Sequence, residues 1–191
     1  MTPFPNIGVA TPIIVGNKIF LASEVSDLVC LDKQTGRVLW IRSNPEFESL
    51  SVEDRKTNSV YAEKLAPLAA DLANANRDAV AVLNARMSNA LTAAPSRTLD
   101  PVLKRKRDLE KQIDKEQQSI DKKAFARYWG QGVFGFAGQT PTSDGKHICV
   151  FFTTGVTACY DVDGNRQWIA GKSGDLYHYT FFDPRRQELN G

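Results

Sequence analysis

The sequence predicts a mainly β fold with an α insertion, and three observations carry that prediction. First, composition switches twice along the 191 residues. Residues 1 to about 45 are rich in Val, Ile, Leu and Gly, residues from about 46 to 128 are rich in Ala, Leu and charged groups with no glycine, and from Gly130 glycine, aromatics and β-branched residues return. Second, the two β-type segments repeat one another. Third, apolar residues between them recur at the 3–4 spacing of a helix.

The repeat is exact in register over nine positions. Thr11-Pro12, Gly16, Ile19, Leu21, Cys30 and Asp32 return 129 positions later as Thr140-Pro141, Gly145, Ile148, Val150, Cys159 and Asp161. Gly36 and Trp40 return 128 positions later as Gly164 and Trp168. The lost residue falls in a turn, where a length change is tolerated. Self-similarity at a fixed offset is the signature of propellers, solenoids and arrays.

Each repeat reads as short strands between turn signals. In the first, strands are expected over 11–15, 18–22, 28–32 and 38–41, broken at Gly16-Asn17 and Thr35-Gly36. In the second, strands over 148–152 and 156–160 flank Thr153-Thr154-Gly155, a three-residue hairpin loop with glycine in the left-handed position. Ile148-Cys149-Val150-Phe151-Phe152 is apolar on both faces. A sheet with one wet face would alternate, whereas a sheet stacked between two layers would not. The expected architecture is therefore two four-stranded β-propeller blades, a partial propeller, over 1–45 and 129–191, with an antiparallel helical hairpin over 46–128.

Cys30-Leu-Asp32-Lys-Gln-Thr35-Gly36-Arg-Val-Leu-Trp40 resembles the tryptophan-docking motif of PQQ-like, quinoprotein-type propeller repeats, AxDxxTGxxxW, with Cys30 in place of alanine. Cys159-Tyr-Asp161-Val-Asp163-Gly164-Asn-Arg-Gln-Trp168 resembles the same motif with a shortened turn. The second repeat is similar to the PQQ-binding-like repeat proteins of planctomycete-type bacteria. In such a motif the aspartate closes the turn, the glycine takes a backbone angle other residues avoid, and the tryptophan lies between neighbouring blades. The expected structural residues are thus Asp32, Thr35, Gly36 and Trp40, and Asp161, Gly164 and Trp168.

In the insertion, Ser51-Val-Glu-Asp54 reads as a capping box. Tyr61, Leu65, Leu68, Leu72, Ala75, Ala79 and Val82 form a helical seam that Leu83, Met87 and Leu91 continue with a shift, and Pro67 kinks or restarts that helix. Residues 93–98 form a loop, and Asp100-Pro101 starts a second helix with the seam Leu103, Lys106, Leu109, Ile113, Glu116 and Ile120. Lys104, Arg105, Lys106 and Arg107 are the strongest charge cluster and the candidate partner-binding surface. They also read as a solvated face interleaved with Asp108, Glu110, Asp114 and Glu116, and that is the preferred reading.

Other sites are weaker. Asp161-Val-Asp163-Gly164 begins like a calcium loop but lacks its terminal glutamate and flanking helices. Cys149 and Cys159 face one another across the hairpin if Thr154 is its centre, and two reduced thiols are preferred over a cross-strand disulfide. His147 and His178 have no neighbours in sequence that suggest a triad or metal site.

A formal net charge of +2 gives no field that points to nucleic acid. No apolar run approaches the ~18 residues that span a bilayer, and no signal peptide is visible. The resemblance implies a periplasmic or cell-envelope location. True quinoprotein dehydrogenases hold PQQ with calcium, an aspartate base and often a pair of adjacent cysteines, which this sequence lacks. No catalytic, cofactor-binding or metal-ligating residues are therefore expected, and no cofactor. The leading expectation is a non-catalytic interaction or scaffold module, part of a larger repeat protein. It is partnered by a protein or by remaining blades, with self-association through exposed blade faces as the other outcome. The alternatives are a fragment of a PQQ-dependent oxidoreductase, and a helical arm that docks partners while the blades mount it. The tail Tyr177-His-Tyr-Thr-Phe-Phe182 reads as the opening of a third repeat.

Overall fold

The computed structural model describes residues 8–89, 100–120, 125 and 135–171. The expectations for the N-terminal leader, Leu91, the 93–98 loop, His178 and the 177–182 tail lie outside these residues. Each repeat forms a four-stranded antiparallel sheet in simple sequential order. The first comprises β1 (Ile13–Val15), β2 (Lys18–Ser23), β3 (Asp27–Asp32) and β4 (Val38–Ser43). The second comprises β5 (Thr142–Ser143), β6 (His147–Phe151), β7 (Thr157–Asp161) and β8 (Arg166–Ala170). The sheets are separate, and neither closes on itself.

The sequence repeat is also a repeat of register. β2–β3 pairs Phe20 with Cys30 and β3–β4 pairs Cys30 with Trp40; β6–β7 pairs Cys149 with Cys159 and β7–β8 pairs Cys159 with Trp168. Both ladders break at the same place, between Cys30 and Leu31 and between Cys159 and Tyr160. Such a bulge re-aims the last strand, so Trp40 and Trp168 project from matching positions.

The apolar faces decide how the layers stack. One face of the first sheet carries Phe20, Ala22, Leu28, Cys30 and Trp40, packed with Ile148, Val150, Phe152, Ala158 and Tyr160 of the second. Its other face carries Ile19, Leu21, Val29, Leu31 and Ile41, packed with Ala79, Leu83 and Leu103 from helices. The first sheet is thus a middle layer covered on both faces over β2, β3 and most of β4, which explains the apolar residues on both faces of those strands, while Ile14 and Leu39 stay exposed.

The helices follow the expected seams. Ser51 caps α1 (Val52–Thr57), its hydroxyl accepting from the Asp54 amide at 3.0 Å. A π-type turn, Tyr61–Leu65, runs into α2 (Ala66–Asn89). Pro67 sits at that change of register, where its missing N–H cannot bond back to the turn before it. In α2 the buried positions are Leu72, Ala75, Asn76, Ala79 and Leu83, the shift at Leu83 included. Asp100 starts α3 (Pro101–Ile120) by accepting from the Val102 amide at 2.9 Å, and it also pairs with Arg86 across the hairpin at 3.4 Å.

The hairpin packs as a cover on the first sheet rather than standing off it as a free arm. Besides the apolar contact, Asn84 of α2 takes both backbone groups of Val38, accepting from its N–H and donating to its C=O, each at 2.9 Å. That ties the helix to the β4 edge, where unpaired backbone would otherwise invite another strand.

Lys106 is the second anchor, and here an expectation is corrected. It is buried and donates to Asp27 of β3 at 2.6 Å, and it also pairs with Glu110. Its seam position turns it inward, so it takes no part in a partner-facing basic surface. Asp27, fully buried, also accepts from the Ser43 hydroxyl at 2.5 Å. One cation thus sits between two carboxylates. Burial works against the Lys106 charge, yet Asp27 and Glu110 together hold its pKa above the ordinary value. Burial first, then the charge of Asp27, pushes the Glu110 carboxyl up to about 7.

Two expectations follow from this packing. Replacing residues 46–128 by a short flexible linker uncovers Val29, Leu31 and Ile41; the product should associate on light scattering and lose its cooperative melt. A melt matching the parent's would show the cover to be dispensable. Because the folded state keeps a proton on Glu110 that the unfolded state releases near 4.5, its stabilising contribution is complete below that pH. It should fade as pH rises through about 7. The melting temperature should fall over that window, and Glu110→Gln should flatten the slope.

Candidate functional site

The two turns that carry the motif are built alike. Asp32 accepts from the amides of Gln34 and Thr35 at 3.1 and 2.7 Å and from the Thr35 hydroxyl at 2.7 Å. Gly36 follows at φ 71° and its amide bonds the Asp32 carbonyl at 2.8 Å. In the shorter turn Asp161 accepts from the amides of Asp163 and Asn165, both at 2.9 Å, and from the Asn165 side chain at 2.8 Å. Gly164 sits at φ 84°. The Thr35 hydroxyl chiefly holds the Asp32 carboxyl below its usual range, and the Asn165 side chain does the same for Asp161. These carboxylates are occupied in closing turns.

The first repeat's tryptophan lies on the second repeat's turn. Trp40 is 8% exposed, with its ring against the backbone of Gly164. A Cβ at Gly164 would lie 2.8 Å from Trp40 Cε2, so only glycine fits. Phe20 and Tyr160 flank the ring at centroid distances of 5.8 and 6.2 Å. The Arg42 guanidinium lies 5.4 Å from its centroid and donates to the Gly164 carbonyl at 2.7 Å. Trp40 Nε1 itself has no hydrogen-bond partner, so packing and the cation carry the contact.

A polar rim surrounds this core. Lys18 reaches the Val162 carbonyl and the Asp163 carboxylate at 2.8 and 2.6 Å. The buried Tyr160 hydroxyl donates to Asn44, and burial pushes its pKa up to about 12. Arg166 pairs with Glu48. Across the layers, Glu24 accepts from the amides of Phe136 and Ala137 at 2.7 and 2.8 Å. Sequence reasoning missed all of these, since no local pattern pairs residues so far apart along the chain.

Trp168 stands in a different environment from Trp40. It is 47% exposed, on the face of the second sheet turned away from the first. The row Ile13, Phe20, Cys30, Trp40 has as its counterpart Thr142, Cys149, Cys159, Trp168. In the first sheet that row is covered by the second sheet; in the second sheet it borders a shallow cleft that also includes His147 and Gln167. Phe151, on the same side, is 45% exposed. The preference for reduced thiols is overturned: Cys149 and Cys159 are joined as a disulfide across this row, their Cα atoms 4.1 Å apart. Cys30, buried, is a free thiol raised to about 12 by burial.

The rest of the basic run and the histidine sort simply. Lys104 and Arg105 are exposed and Arg107 is half-buried; Lys104 is paired to Asp108 within α3 at 2.8 Å. His147 is not without a partner, since its Nδ1 lies 2.9 Å from Asp144. That contact chiefly holds the Asp144 carboxyl below its usual range. No helix among the described residues is long and apolar enough to cross a membrane. Compared with known proteins, the chain matches no family model, no curated protein and no solved structure.

The two tryptophans should respond differently to truncation. Trp40→Ala should cost about 3–5 kcal/mol in chemical denaturation, as large core truncations do. Trp168→Ala should cost within about 0.5 kcal/mol, as exposed positions do. Gly164→Ala should also be destabilising, through clash and backbone strain. Equal losses for both tryptophans would contradict the asymmetry.

Proposed function

We propose that the chain is a non-catalytic interaction module of PQQ-like propeller repeats, whose open second-sheet face receives a further sheet of the same kind. One observation carries this reading. The row ending in Trp40 is buried by a sheet that presents a glycine turn to it, while the corresponding row of the second sheet ends in a Trp168 that is 47% exposed. A tryptophan held at the same register, beyond the same bulge, is positioned to use the same kind of partner. Exposed aromatic surface of this sort marks an association site. The resemblance of both motifs to propeller repeats supplies the nature of the partner: remaining blades of a larger protein, with a cell-envelope setting. Asp32 and Asp161 hold turns and no other role is assigned to them, which favours a scaffold over an oxidoreductase.

The test is the concentration dependence of the mass of the isolated chain. With the second-sheet face uncovered and the complementary face of the first sheet covered by the hairpin, two copies can meet only Trp168 face to Trp168 face, and sedimentation should show a reversible monomer–dimer equilibrium. Trp168→Arg should shift the distribution toward monomer by tenfold or so in dissociation constant (~1.4 kcal/mol) without moving the melt. A parent chain that stays monomeric at every concentration, with Trp168→Arg indistinguishable from it, would sink the proposal. Stoichiometric uptake of PQQ in the presence of calcium would favour the oxidoreductase instead.

A further inference from the structure

A cavity of about 350 Å³ lies where the helical hairpin meets the end of β4 and the loops at 24–26, 135–136 and 152–156. That volume is at the small end of ligand sites. Its apolar walls come from Val25, Pro45, Leu72, Ile113 and Phe136. Two polar side chains that line it, Gln117 and Thr154, are each 3% exposed, and Gln117 Oε1 and Thr154 Oγ1 have no hydrogen-bond partner. The Gln117 amide nitrogen is engaged by Asp114 at 3.3 Å, which leaves the oxygen to face elsewhere. A buried acceptor left unmet is costly, and a guest that donates to it removes the cost.

Most of the carboxylates that line the cavity are already engaged: Glu24 by the Phe136 and Ala137 amides, Glu110 by Lys106, and Asp114 by the Gln117 and Gln118 side-chain amides. Glu46, 6% exposed, also lines it. Arg107, half-buried, and Lys111, exposed, stand one turn apart on α3 at the solvent side. The inner end therefore asks for a donor, the walls for hydrocarbon and the mouth for an anion. We propose that this cavity binds a free α-amino acid with an apolar side chain. Its ammonium group donates to Gln117 Oε1 and Thr154 Oγ1, its side chain packs on Leu72, Ile113 and Phe136, and its carboxylate meets Arg107 and Lys111. This site does not depend on sheet stacking, since none of its residues belongs to the Trp168 face.

Calorimetric titration of the whole chain with L-leucine tests it. Saturable binding is expected, with a dissociation constant at or below about 1 mM. N-acetyl-L-leucine, which lacks the ammonium group, should bind at least tenfold more weakly. Lys111→Gln should weaken L-leucine severalfold and leave binding of L-leucinol, which has no carboxylate, unchanged. Gln117→Leu should abolish binding without lowering the melting temperature. Because Lys111 is exposed, its variant keeps the test decisive even if Gln117→Leu does not fold. No saturable heat with L-leucine or L-phenylalanine would overturn the assignment and leave the cavity to water. Equal binding of leucine and its N-acetyl derivative would overturn it as well.

Discussion

A four-stranded sheet that is apolar on both faces has to be covered on both. The first sheet is the case in point, and the rest of the molecule is arranged around it. On one side Phe20, Cys30 and Trp40 are covered by the second sheet; on the other, Val29, Leu31 and Ile41 are covered by the helical hairpin. Burial of this extent supplies the main driving force for holding the three pieces together. The polar contacts then fix where they sit: Arg42 and Lys18 on the second turn, Asn84 on the β4 edge, and Lys106 on Asp27. Each of these joins two layers.

The insertion occupies the position a preceding repeat would take. In the second sheet the face that meets the first carries Ile148, Val150, Ala158 and Tyr160, the repeat counterparts of Ile19, Leu21, Val29 and Leu31. In the first sheet those counterparts meet α2 and α3. A helix pair and a sheet are interchangeable there because the requirement is an apolar surface of the right width. The helices add what a sheet would not, a side-chain cap on the exposed edge strand and a buried cation between two carboxylates.

Much of this was legible in the sequence, and the reasons are physical. Repeat register, turn chemistry and helical seams are local or periodic, so Asp32, Gly36, Gly164 and the Ala75–Leu83 seam could be read directly. The seam spacing even pointed Lys106 inward, although the neighbouring cations suggested a solvated face. What could not be read is which layer covers which. The motif treats Trp40 and Trp168 identically, and only the count of layers makes one buried and the other exposed. The long-range pairs of Glu24 with the 136–137 backbone and of Lys106 with Asp27 have no local signature either. The disulfide was legible as a facing pair but not as a bond, since register alone brings two sulfurs close without deciding their oxidation.

The common bulge and the common row give the stack a direction. Both sheets offer the tryptophan row on the same side, so the contact between them is heterologous: two different surfaces meet, and each copy of the repeat has one of each. A heterologous contact does not satisfy itself in pairs. Left uncapped at both ends it either closes into a ring or grows without limit. The hairpin removes one of the two surfaces from circulation. The molecule is therefore terminated at one end, and growth, if it occurs, has a single pole.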